Sequence, residues 1–364
     1  MNKKIIYAVV FFLCLAVPLA AHLIAPDRTF SDNENRTLAK MPRATAKAVF
    51  SGKFQSDLET YLADQFPLRD GAAAAVSAIR KAAGRRDIGG AYIGRGGYYP
   101  EVHREEDLDR EKYAKNLALI KKIGERSGAG SVKLMLVPCA GSVMRDKLPL
   151  FASSYDPEPY CEMARDALPG AEVIDLCSAL REAGDGAFYR TDHHWSAAGV
   201  LAAYRALTRG AGAYSGEPEL FSDSFLGTTY SKVLDPAAAP DEVYVFPVAD
   251  SVTAEADGRE IPVYDADAAT RKDKYTVFFG GNYGTVTVTG GADNGKVAVV
   301  VKDSFANSLA PLLTADYGTV ILIDPRYFAG SFDSVTAAHP GCDLIFLFEI
   351  SGLCENGDLA KLLM

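Results

Sequence analysis

Short apolar runs alternate along this chain with longer segments of helical periodicity, and this alternation constrains the fold more than any other feature. The runs of strand length are residues 132–138, 172–176, 296–301, 319–324 and 343–348. Between them, segments such as residues 109–127 and 305–314 carry apolar side chains every three or four positions, which is typical of amphipathic helices. Strands that are apolar throughout are buried on both faces. The pattern therefore predicts an α/β fold in which helices cover both faces of a parallel sheet.

The N-terminus has the pattern of an export segment. Lys3 and Lys4 precede an apolar run over residues 5–24. Its length lies between that of a signal-peptide core and that of a minimal membrane span. Residues 1–24 are therefore expected to be a signal anchor or a cleaved signal peptide. In both cases the remainder of the chain lies outside the cell membrane, because positive charge stays inside. The protein is then anchored to the membrane facing outside, or secreted if the signal is removed.

The exported part divides by its sequence texture. Residues 25–90 combine a polar linker with a helical arm, in which Pro67 separates two segments of helical spacing. Residues 91–364 carry the α/β pattern and form the expected main domain. Within it, the stretch from about 216 to 290 has short β-like runs and many turns, which predicts a β-rich insertion on the sheet. Residues 275–279 are one of its expected strands.

Charge and cysteine usage exclude two kinds of ligand. The formal net charge of −9 argues against nucleic acid, whose binding depends on Lys and Arg that neutralise phosphates. The chain has no CxxC pair and no Cys/His ligand cluster, so no metal site and no cofactor are expected. Beyond the apolar run, Cys342 could pair with Cys354, and Cys161 with Cys177. Single buried thiols are an equally open reading.

One stretch gathers residues of the kind that carry acid–base chemistry. Asp192, His193, His194 and Trp195 stand together, ahead of a helix that Ser196 can cap, and they include two of the five histidines and the only tryptophan. An imidazole that exchanges protons near neutral pH needs a partner to fix its tautomer. Asp192-x-His194 supplies a base and its orienting carboxylate within one loop. His193 competes for the role of base; otherwise it packs or faces the substrate.

Ser304 is the candidate nucleophile. It stands at the junction of a strongly apolar strand and a helix, where its hydroxyl would be exposed and backbone N–H groups would face a developing oxyanion. The chain lacks G-x-S-x-G, so this is not the nucleophile elbow of an α/β-hydrolase. Taken alone, Ser304 or Asp303 could simply cap the helix. Together with Asp192 and His194, however, Ser304 completes a Ser-His-Asp triad.

The run Thr191-Asp192-His193-His194-Trp195 matches the signature of the DHHW family. That family is similar to the alginate O-acetyltransferase proteins AlgJ and AlgX, whose domains are SGNH-hydrolase-like. Further segments that resemble it are residues 33–36, 64–69, 302–305 and 324–327. The resemblance carries the Asp-x-His pair onto Asp192 and His194, and the nucleophile onto Ser304. It implies an SGNH-hydrolase-like sheet in which acid and base precede the nucleophile along the chain.

The resemblance also implies a function. It suggests an extracytoplasmic O-acetyltransferase that moves an acetyl group through Ser304 to a hydroxyl of a cell-envelope or secreted polysaccharide. A multi-span membrane acyltransferase would supply the acetyl groups across the membrane. Two alternatives remain open. One is a carbohydrate O-acetyl esterase with the same triad, and the other is a non-catalytic envelope scaffold or polysaccharide-binding protein.

Several residues are candidates for supporting roles. The backbone N–H of Ser304, with a side-chain amide of Asn282 or Asn307, could form an oxyanion hole. Four side chains could contact the substrate: His193, Trp195, Arg326 and Tyr327. For Arg326 and Tyr327, an ion pair and a core aromatic position are the competing readings. For His193 and Trp195, the competing role is support of the loop.

Overall fold

The computed structural model describes residues 3–31, 36–67 and 69–364. Of the segment at residues 33–36 that resembles the DHHW family, Asn33, Glu34 and Asn35 lie outside the described residues. The chain forms two units: Met1–Arg85 with Ser231–Ala237, and Arg86–Tyr230 with Ala238–Met364. The second unit contains the α/β pattern and all of the predicted site residues.

Helices make up most of the first unit. Its helices are α1 (Lys3–Ile24), α2 (Ala46–Phe50), α3 (Lys53–Asp64) and α4 (Arg69–Ala82), and its strands β1 (Phe30–Ser31) and β2 (Arg36–Thr37) pair antiparallel. The predicted break at Pro67 separates α3 from α4. Within the described residues, no helix has the length and apolar character that a membrane span requires. The reading of residues 1–24 as an anchor or a signal peptide stays a prediction.

An ion pair between a buried carboxylate and a partly exposed guanidinium stabilises the end of α3. The carboxylate of Asp64 accepts hydrogen bonds from the Arg36 guanidinium, at 2.9 Å to Nη1, and from the backbone N–H of Ala39 at 2.8 Å. The Arg36 guanidinium is the main reason that the pKa of Asp64 is lowered to about 2, although burial opposes the shift. Asp64 is therefore ionised at any ordinary pH and ties β2 and the chain after it to α3.

An eight-stranded sheet is the centre of the second unit. The strands of this unit are β3 (Asp87–Ile88), β4 (Ala91–Tyr92), β5 (Ser131–Val137), β6 (Glu172–Ile174), β7 (Glu219–Phe225), β8 (Asp241–Val245), β9 (Thr253–Ala256), β10 (Arg259–Ile261), β11 (Thr285–Thr289), β12 (Val297–Lys302), β13 (Thr319–Ile323) and β14 (Asp343–Glu349). The sheet has the order β10-β9-β11-β13-β12-β14-β5-β6. The five strands from β13 to β6 are parallel, while β11, β9 and β10 extend one edge antiparallel.

Helices cover both faces of the parallel strands, as the apolar runs predict. The helices that begin in this unit are α5 (Arg110–Arg126), α6 (Ala140–Val143), α7 (Glu158–Ala167), α8 (Leu176–Ala183), α9 (Ala197–Leu207), α10 (Thr228–Val233), α11 (Ala306–Leu313), α12 (Phe332–Ala338) and α13 (Ile350–Glu355). Successive strand residues point to opposite faces. Ala298 and Val300 of β12 accordingly join one apolar core with α8, α9 and α11, and Val299 and Val301 join the other with α5, α7 and α13.

The predicted β-rich insertion is only partly separate from the sheet. Strands β9, β10 and β11 join the sheet edge, whereas β7 and β8 pair with each other. The expected strand at residues 275–279 is wrong, because Lys274–Val277 forms a short 3-10 helix. The Asp273 side chain begins this helix by accepting the N–H of Tyr275 at 3.1 Å. These apolar residues are buried in the core without pairing as a strand, and an apolar run by itself does not distinguish the two cases.

The cysteines of the second unit are buried free thiols. They are Cys139, Cys161, Cys177, Cys342 and Cys354. Neither of the two pairings that the sequence left open is formed among these described residues. Burial raises the pKa of the Cys161 and Cys354 thiols to about 12, so both are protonated and unreactive at neutral pH.

Candidate active site

The nucleophile candidate lies directly beyond the carboxyl end of a central strand. β12 ends at Lys302, and Ser304 follows it in the turn before α11, a position where open parallel sheets bind ligands. The Asp303 carboxylate holds this turn, because it accepts the N–H of Phe305 at 3.0 Å and the N–H of Glu349 at 2.7 Å. Asp303 thus makes the local backbone contacts, and the Ser304 hydroxyl points elsewhere.

The loop that carries the Asp-His-His-Trp run is a tight turn ahead of α9. A bridge between Phe188 and Trp195 closes it, and the N–H of Tyr189 donates to the carbonyl of His194 at 3.2 Å. Ser196 ends the turn and caps α9, as predicted, by accepting the N–H of Ala198 at 3.2 Å. This closure presents neighbouring side chains of the loop toward the carboxyl edge of the sheet.

The structure brings the three predicted triad residues together. His194 Nε2 lies 2.8 Å from Ser304 Oγ, and His194 Nδ1 lies 2.6 Å from Asp192 Oδ1. Because a carboxylate only accepts hydrogen bonds, Nδ1 carries the proton and Nε2 is left to accept the proton of the serine hydroxyl. This is the arrangement in which an imidazole activates a serine.

Four donors fix the Asp192 carboxylate. It accepts the N–H of His194 at 3.0 Å, the His194 ring, and both the N–H (2.7 Å) and the hydroxyl (2.9 Å) of Thr228. Burial alone would raise the pKa of Asp192, but the charges of His193 and His194 and these hydrogen bonds hold it well below its usual range. A Cβ at Gly227 would lie 2.4 Å from the Asp192 carboxylate, so only glycine fits beside it.

The His194 imidazole is enclosed between two rings. The Tyr275 ring stacks on one face, with centroids 3.7 Å apart and planes 9° apart, and the His193 ring lies 3.9 Å away at 37°. Burial lowers the pKa of His194 to about 4, with a further contribution from His193, and Asp192 opposes both effects. His194 is therefore neutral near pH 7, which is the state that a general base requires.

Thr228 distinguishes the two histidines. Its hydroxyl has one proton, which it donates to the Asp192 carboxylate, so the 2.8 Å contact with His193 Nδ1 is a bond that His193 donates. The His193 side chain is 24% exposed, against 7% for His194. His193 is thus oriented beside the base rather than toward Ser304. The sequence held no signal for Thr228, which is the first residue of α10.

A buried hydrogen-bond network connects the segments that carry the triad. Trp195 Nε1 donates to Ser308 Oγ at 2.8 Å, and the Tyr275 hydroxyl contacts Ser308 Oγ at 3.0 Å and the Ser304 carbonyl at 3.1 Å. Trp195 is fully buried, so it supports the loop and does not line a groove. Sequence reasoning missed Tyr275 and Ser308, because nothing in their local pattern links them to the triad.

The two asparagine candidates are bonded to each other. Asn307 Nδ2 donates to Asn282 Oδ1 at 3.1 Å, and Asn307 Oδ1 accepts from the Lys302 ammonium at 2.8 Å. Asn307 is buried, with 4% of its surface exposed, whereas Asn282 is exposed. Of the two amides, only that of Asn282 is open toward a bound molecule.

Arg326 and Tyr327 lie beyond the end of β13. The Arg326 guanidinium makes two bonds to the buried Asp324 carboxylate, from Nε at 2.9 Å and from Nη2 at 2.6 Å. This is the ion pair that the sequence left open for Arg326. Tyr327 is 55% exposed and lies under the guanidinium, 5.3 Å from ring centroid to Cζ, so it is a surface residue and not a core aromatic.

Asp192, His193 and His194 also approach the spacing of metal ligands, with one ligand atom each within 4.8 Å of the others. Two of the candidate ligand atoms are already engaged. His194 Nδ1 donates its proton to Asp192, and His193 Nδ1 donates to Thr228, so neither of these two nitrogens offers a lone pair.

Comparisons with known proteins concern the fold of the chain. Residues 98–228 match the family model described as the SGNH hydrolase-like domain of the acetyltransferase AlgX. A DHHW family protein from Eubacterium siraeum has a TM-score of 0.64 and 19% identity, over 76% of this chain and 96% of that chain. Bacillus cereus PatB1 with a sulfonyl adduct has a TM-score of 0.57 and 19% identity, over 73% and 95%. No curated protein matches the sequence. The resemblance inferred from the sequence is confirmed, and at these identities the two structures show a shared fold.

Proposed function

We propose that this protein is an extracytoplasmic O-acetyltransferase that moves an acetyl group, through an acyl-enzyme on Ser304, to a hydroxyl of a cell-envelope or secreted polysaccharide. The observation that carries the proposal is the 2.8 Å contact between His194 Nε2 and Ser304 Oγ, with Asp192 behind the imidazole at 2.6 Å. The match of residues 98–228 to an acetyltransferase domain supports acetyl as the transferred group.

In the first half-reaction, His194 Nε2 takes the hydroxyl proton of Ser304 while Oγ attacks the acetyl carbonyl carbon of the donor. The imidazolium that forms is stabilised by the Asp192 carboxylate. The backbone N–H of Ser304 and the exposed amide of Asn282 would donate to the oxyanion. The carbon–oxygen bond to the leaving group then breaks, His194 returns its proton to that group, and acetyl-Ser304 remains.

In the second half-reaction, a sugar hydroxyl takes the place of the leaving group. His194 removes its proton, the sugar oxygen attacks the acetyl-Ser304 carbonyl, and the collapse of the intermediate returns the proton to Ser304 Oγ. The product is an O-acetyl sugar. If water attacks instead, the same residues release acetate, and the enzyme is an esterase. The acceptor that occupies the site decides between the two activities.

Location and supply complete the proposal. An export segment at residues 1–24 would place the second unit on the outer side of the membrane, where cell-envelope and secreted polysaccharides are found. Acetyl donors are made inside the cell, so a multi-span membrane acyltransferase would have to pass acetyl groups outward. Co-purification of such a protein with the full-length chain in detergent would support this part, and acetyl transfer from a soluble donor alone would remove the need for it.

The test measures two products from one donor. Wild type, Ser304→Ala and His194→Ala are given 4-nitrophenyl acetate with and without oligosaccharide acceptors, and nitrophenol release and O-acetyl sugars are both followed. We expect each variant to lose about 10³-fold or more of the wild-type rate. Ser334→Ala and His339→Ala are matched controls, because Ser334 is exposed in α12 and His339 follows that helix, outside the hydrogen bonds of the triad.

The outcomes separate the three hypotheses. Sugar acetylation that depends on Ser304 and His194 supports the transferase. Nitrophenol release that depends on both residues but never yields an acetylated sugar favours the esterase. Equal rates in wild type and both variants contradict the triad, and a folded but inactive wild type favours the scaffold.

A further inference from the structure

A buried lysine lies two residues before the candidate nucleophile. Lys302, at the end of β12, is 1% exposed, and its ammonium is 3.3 Å from the carboxylate of Asp324 and 2.8 Å from Asn307 Oδ1. A buried ammonium is costly unless it is paired and hydrogen-bonded, and Asp324 and Asn307 meet that requirement. The proposed acyl transfer gives Lys302 no direct task, because His194 and Ser304 carry the proton movements and Asp192 stabilises the imidazolium.

The ammonium determines how the two asparagine amides are turned. It can only donate hydrogen bonds, so Asn307 must face it with the carbonyl oxygen. The amide NH2 of Asn307 then faces Asn282, which must accept with its own oxygen, and the distance between these atoms is 3.1 Å. The NH2 group of Asn282 is thereby turned away from Asn307. The Lys302 ammonium, which can only donate, thus leaves the NH2 group of Asn282 available to donate elsewhere.

The backbone before Asn282 is held in an unusual conformation. Phe279, Gly280 and Gly281 have consecutive positive φ angles of 63°, 79° and 147°. Phe279 is a bulky residue and is 1% exposed, so its left-handed conformation is strained and persists only because the surrounding core holds it. Strain of this kind clusters at active sites and ligand clamps, where it holds a side chain in one position.

Asn307 connects this loop to the nucleophile. It lies in the first turn of α11, and its N–H donates to the Ser304 carbonyl at 3.2 Å. Asn282, bonded to Asn307, therefore stands at the same carboxyl edge of the sheet as Ser304. An amide NH2 at this place can donate to an oxyanion on the carbon that Ser304 attacks.

We infer that Lys302 is a positioning residue that, through Asn307, turns the amide of Asn282 so that its NH2 group donates to the oxyanion formed beside Ser304. This inference rests on the proposed acyl transfer and goes beyond it. We call the hydrogen bonds from Lys302 to Asn307 and from Asn307 to Asn282 the relay. The relay fixes the orientation of the Asn282 amide. Without the relay, the Asn282 amide could face the oxyanion with either its oxygen or its nitrogen. An oxygen in that position would repel the oxyanion and oppose the reaction.

The decisive variant is Asn307→Asp. It preserves the size of the side chain and its contact with Lys302, but the new carboxylate has no NH2 to donate. Asn282 must then turn its own NH2 inward and present its oxygen outward. We expect kcat for 4-nitrophenyl acetate to fall about 100-fold, as when one oxyanion donor is lost, with KM changed less than about threefold. Asn294→Asp, in the exposed turn before β12, controls for the added charge.

A double-mutant cycle tests whether Asn307 acts by orienting the Asn282 amide or only by supporting the local structure. Asn282→Ala alone should also cost about 100-fold in kcat, but in the Asn307→Asp background it should cost less than about threefold, since the donor is already lost. Losses that multiply would overturn the relay, as would a folded Asn307→Asp protein with wild-type kcat. If Asn307→Asp does not fold, Lys302→Met replaces it, because Arg326 still pairs with Asp324. Wild-type kcat in Lys302→Met overturns the relay too.

The failure of the relay and the failure of the proposed function look different. If Ser304→Ala keeps wild-type activity, acyl transfer through Ser304 is contradicted. If Ser304→Ala is inactive while Asn307→Asp and Lys302→Met turn over normally, only the relay is contradicted.

Discussion

Adjacent residues of the same type have different tasks in this site. His194 is 7% exposed and faces Ser304, while His193 is 24% exposed and donates to Thr228. The Asp-x-His spacing favoured His194, because the offset lets both side chains meet within one loop, but it left His193 as a competitor for the role of base. The neighbour that fixes His193 could not be predicted, since Thr228 follows 36 positions after Asp192.

The pH dependence of the rate follows from His194. Only the neutral imidazole can accept the Ser304 proton, and burial lowers the pKa of His194 to about 4. We expect kcat/KM for 4-nitrophenyl acetate to be independent of pH above about 6 and to fall below that with a midpoint near 4, because protonation removes the base. The measurement is a pH–rate profile in buffers of constant ionic strength. A midpoint near 6.5, the value for an exposed histidine, would contradict the enclosed site.

Thr228 offers a second test at this scale. Thr228→Val has nearly the same shape but loses the hydroxyl that bonds Asp192 at 2.9 Å and His193 at 2.8 Å. The backbone N–H of residue 228 still donates to Asp192, so we expect a partial loss of about tenfold in kcat. Thr228→Ser, which retains the hydroxyl, should stay within about threefold of wild type. Equal rates for the valine and serine variants would mean that the hydroxyl does not support the triad.

At the scale of elements, one serine ties three segments together. Ser308 of α11 accepts from Trp195, in the loop before α9, and contacts the hydroxyl of Tyr275, in the 3-10 helix Lys274–Val277. The elements that carry the base, the nucleophile and the ring stacked on the base are thus held by one buried hydroxyl. The fully buried Trp195 side chain thus anchors the loop before α9 to α11.

This network has a measurable contribution to stability. Trp195→Phe removes the Nε1 donor and leaves an aromatic ring beside Phe305, so we expect the free energy of unfolding to drop by about 1–3 kcal/mol in urea titrations. Ser308→Ala should cost a similar amount, because it leaves the indole N–H buried without its acceptor. The double variant should cost less than the sum of the two. Strict additivity would show that the bond contributes nothing of its own.

Strands were predictable from the sequence where an apolar run is both buried and paired in the sheet. The parallel strands β5, β12, β13 and β14 follow continuous apolar runs because both faces of a central strand are covered. Residues 275–279 have the same apolar character for another reason, since they fill the core beside His194 without pairing as a strand. The joining of β9 to the sheet edge was not predicted either, because its pairing partner β11 lies about 30 residues further on, and β10 joins only by pairing with β9.

At the scale of the whole molecule, the site depends on distant parts of the chain. His194 and Ser304 are separated by 110 positions and meet only because β12 lies inside the sheet and the loop before α9 lies at its carboxyl edge. The three triad residues could be named from motifs and resemblance. Their distances could not be predicted, because they result from sheet order, and sheet order is not encoded in any one segment.

The stability of the first unit is expected to depend on pH through one ion pair. In the first unit, the pKa of Asp64 is lowered to about 2 by Arg36, so this ion pair stabilises the unit above pH 3.8 and the effect is lost as the pH falls through 2. Asp64→Asn in the full chain should therefore speed hydrogen exchange in α3 and α4 at pH 6, by a local free energy of about 1–3 kcal/mol. Exchange in α11 is the internal control. Unchanged exchange in α3 and α4 would contradict the role of the pair.

The position of β14 has a consequence for when the site can form. β14 follows every other strand in the chain, yet it is inserted between β12 and β5. In a chain that emerges amino end first, the place between β5 and β12 is therefore filled only when the last strand arrives. The Ser304 turn, which Asp303 ties to the N–H of Glu349 at the end of β14, is complete only then. Ser304 therefore reaches its place beside His194 only after the last strand of the sheet has joined β12 and β5.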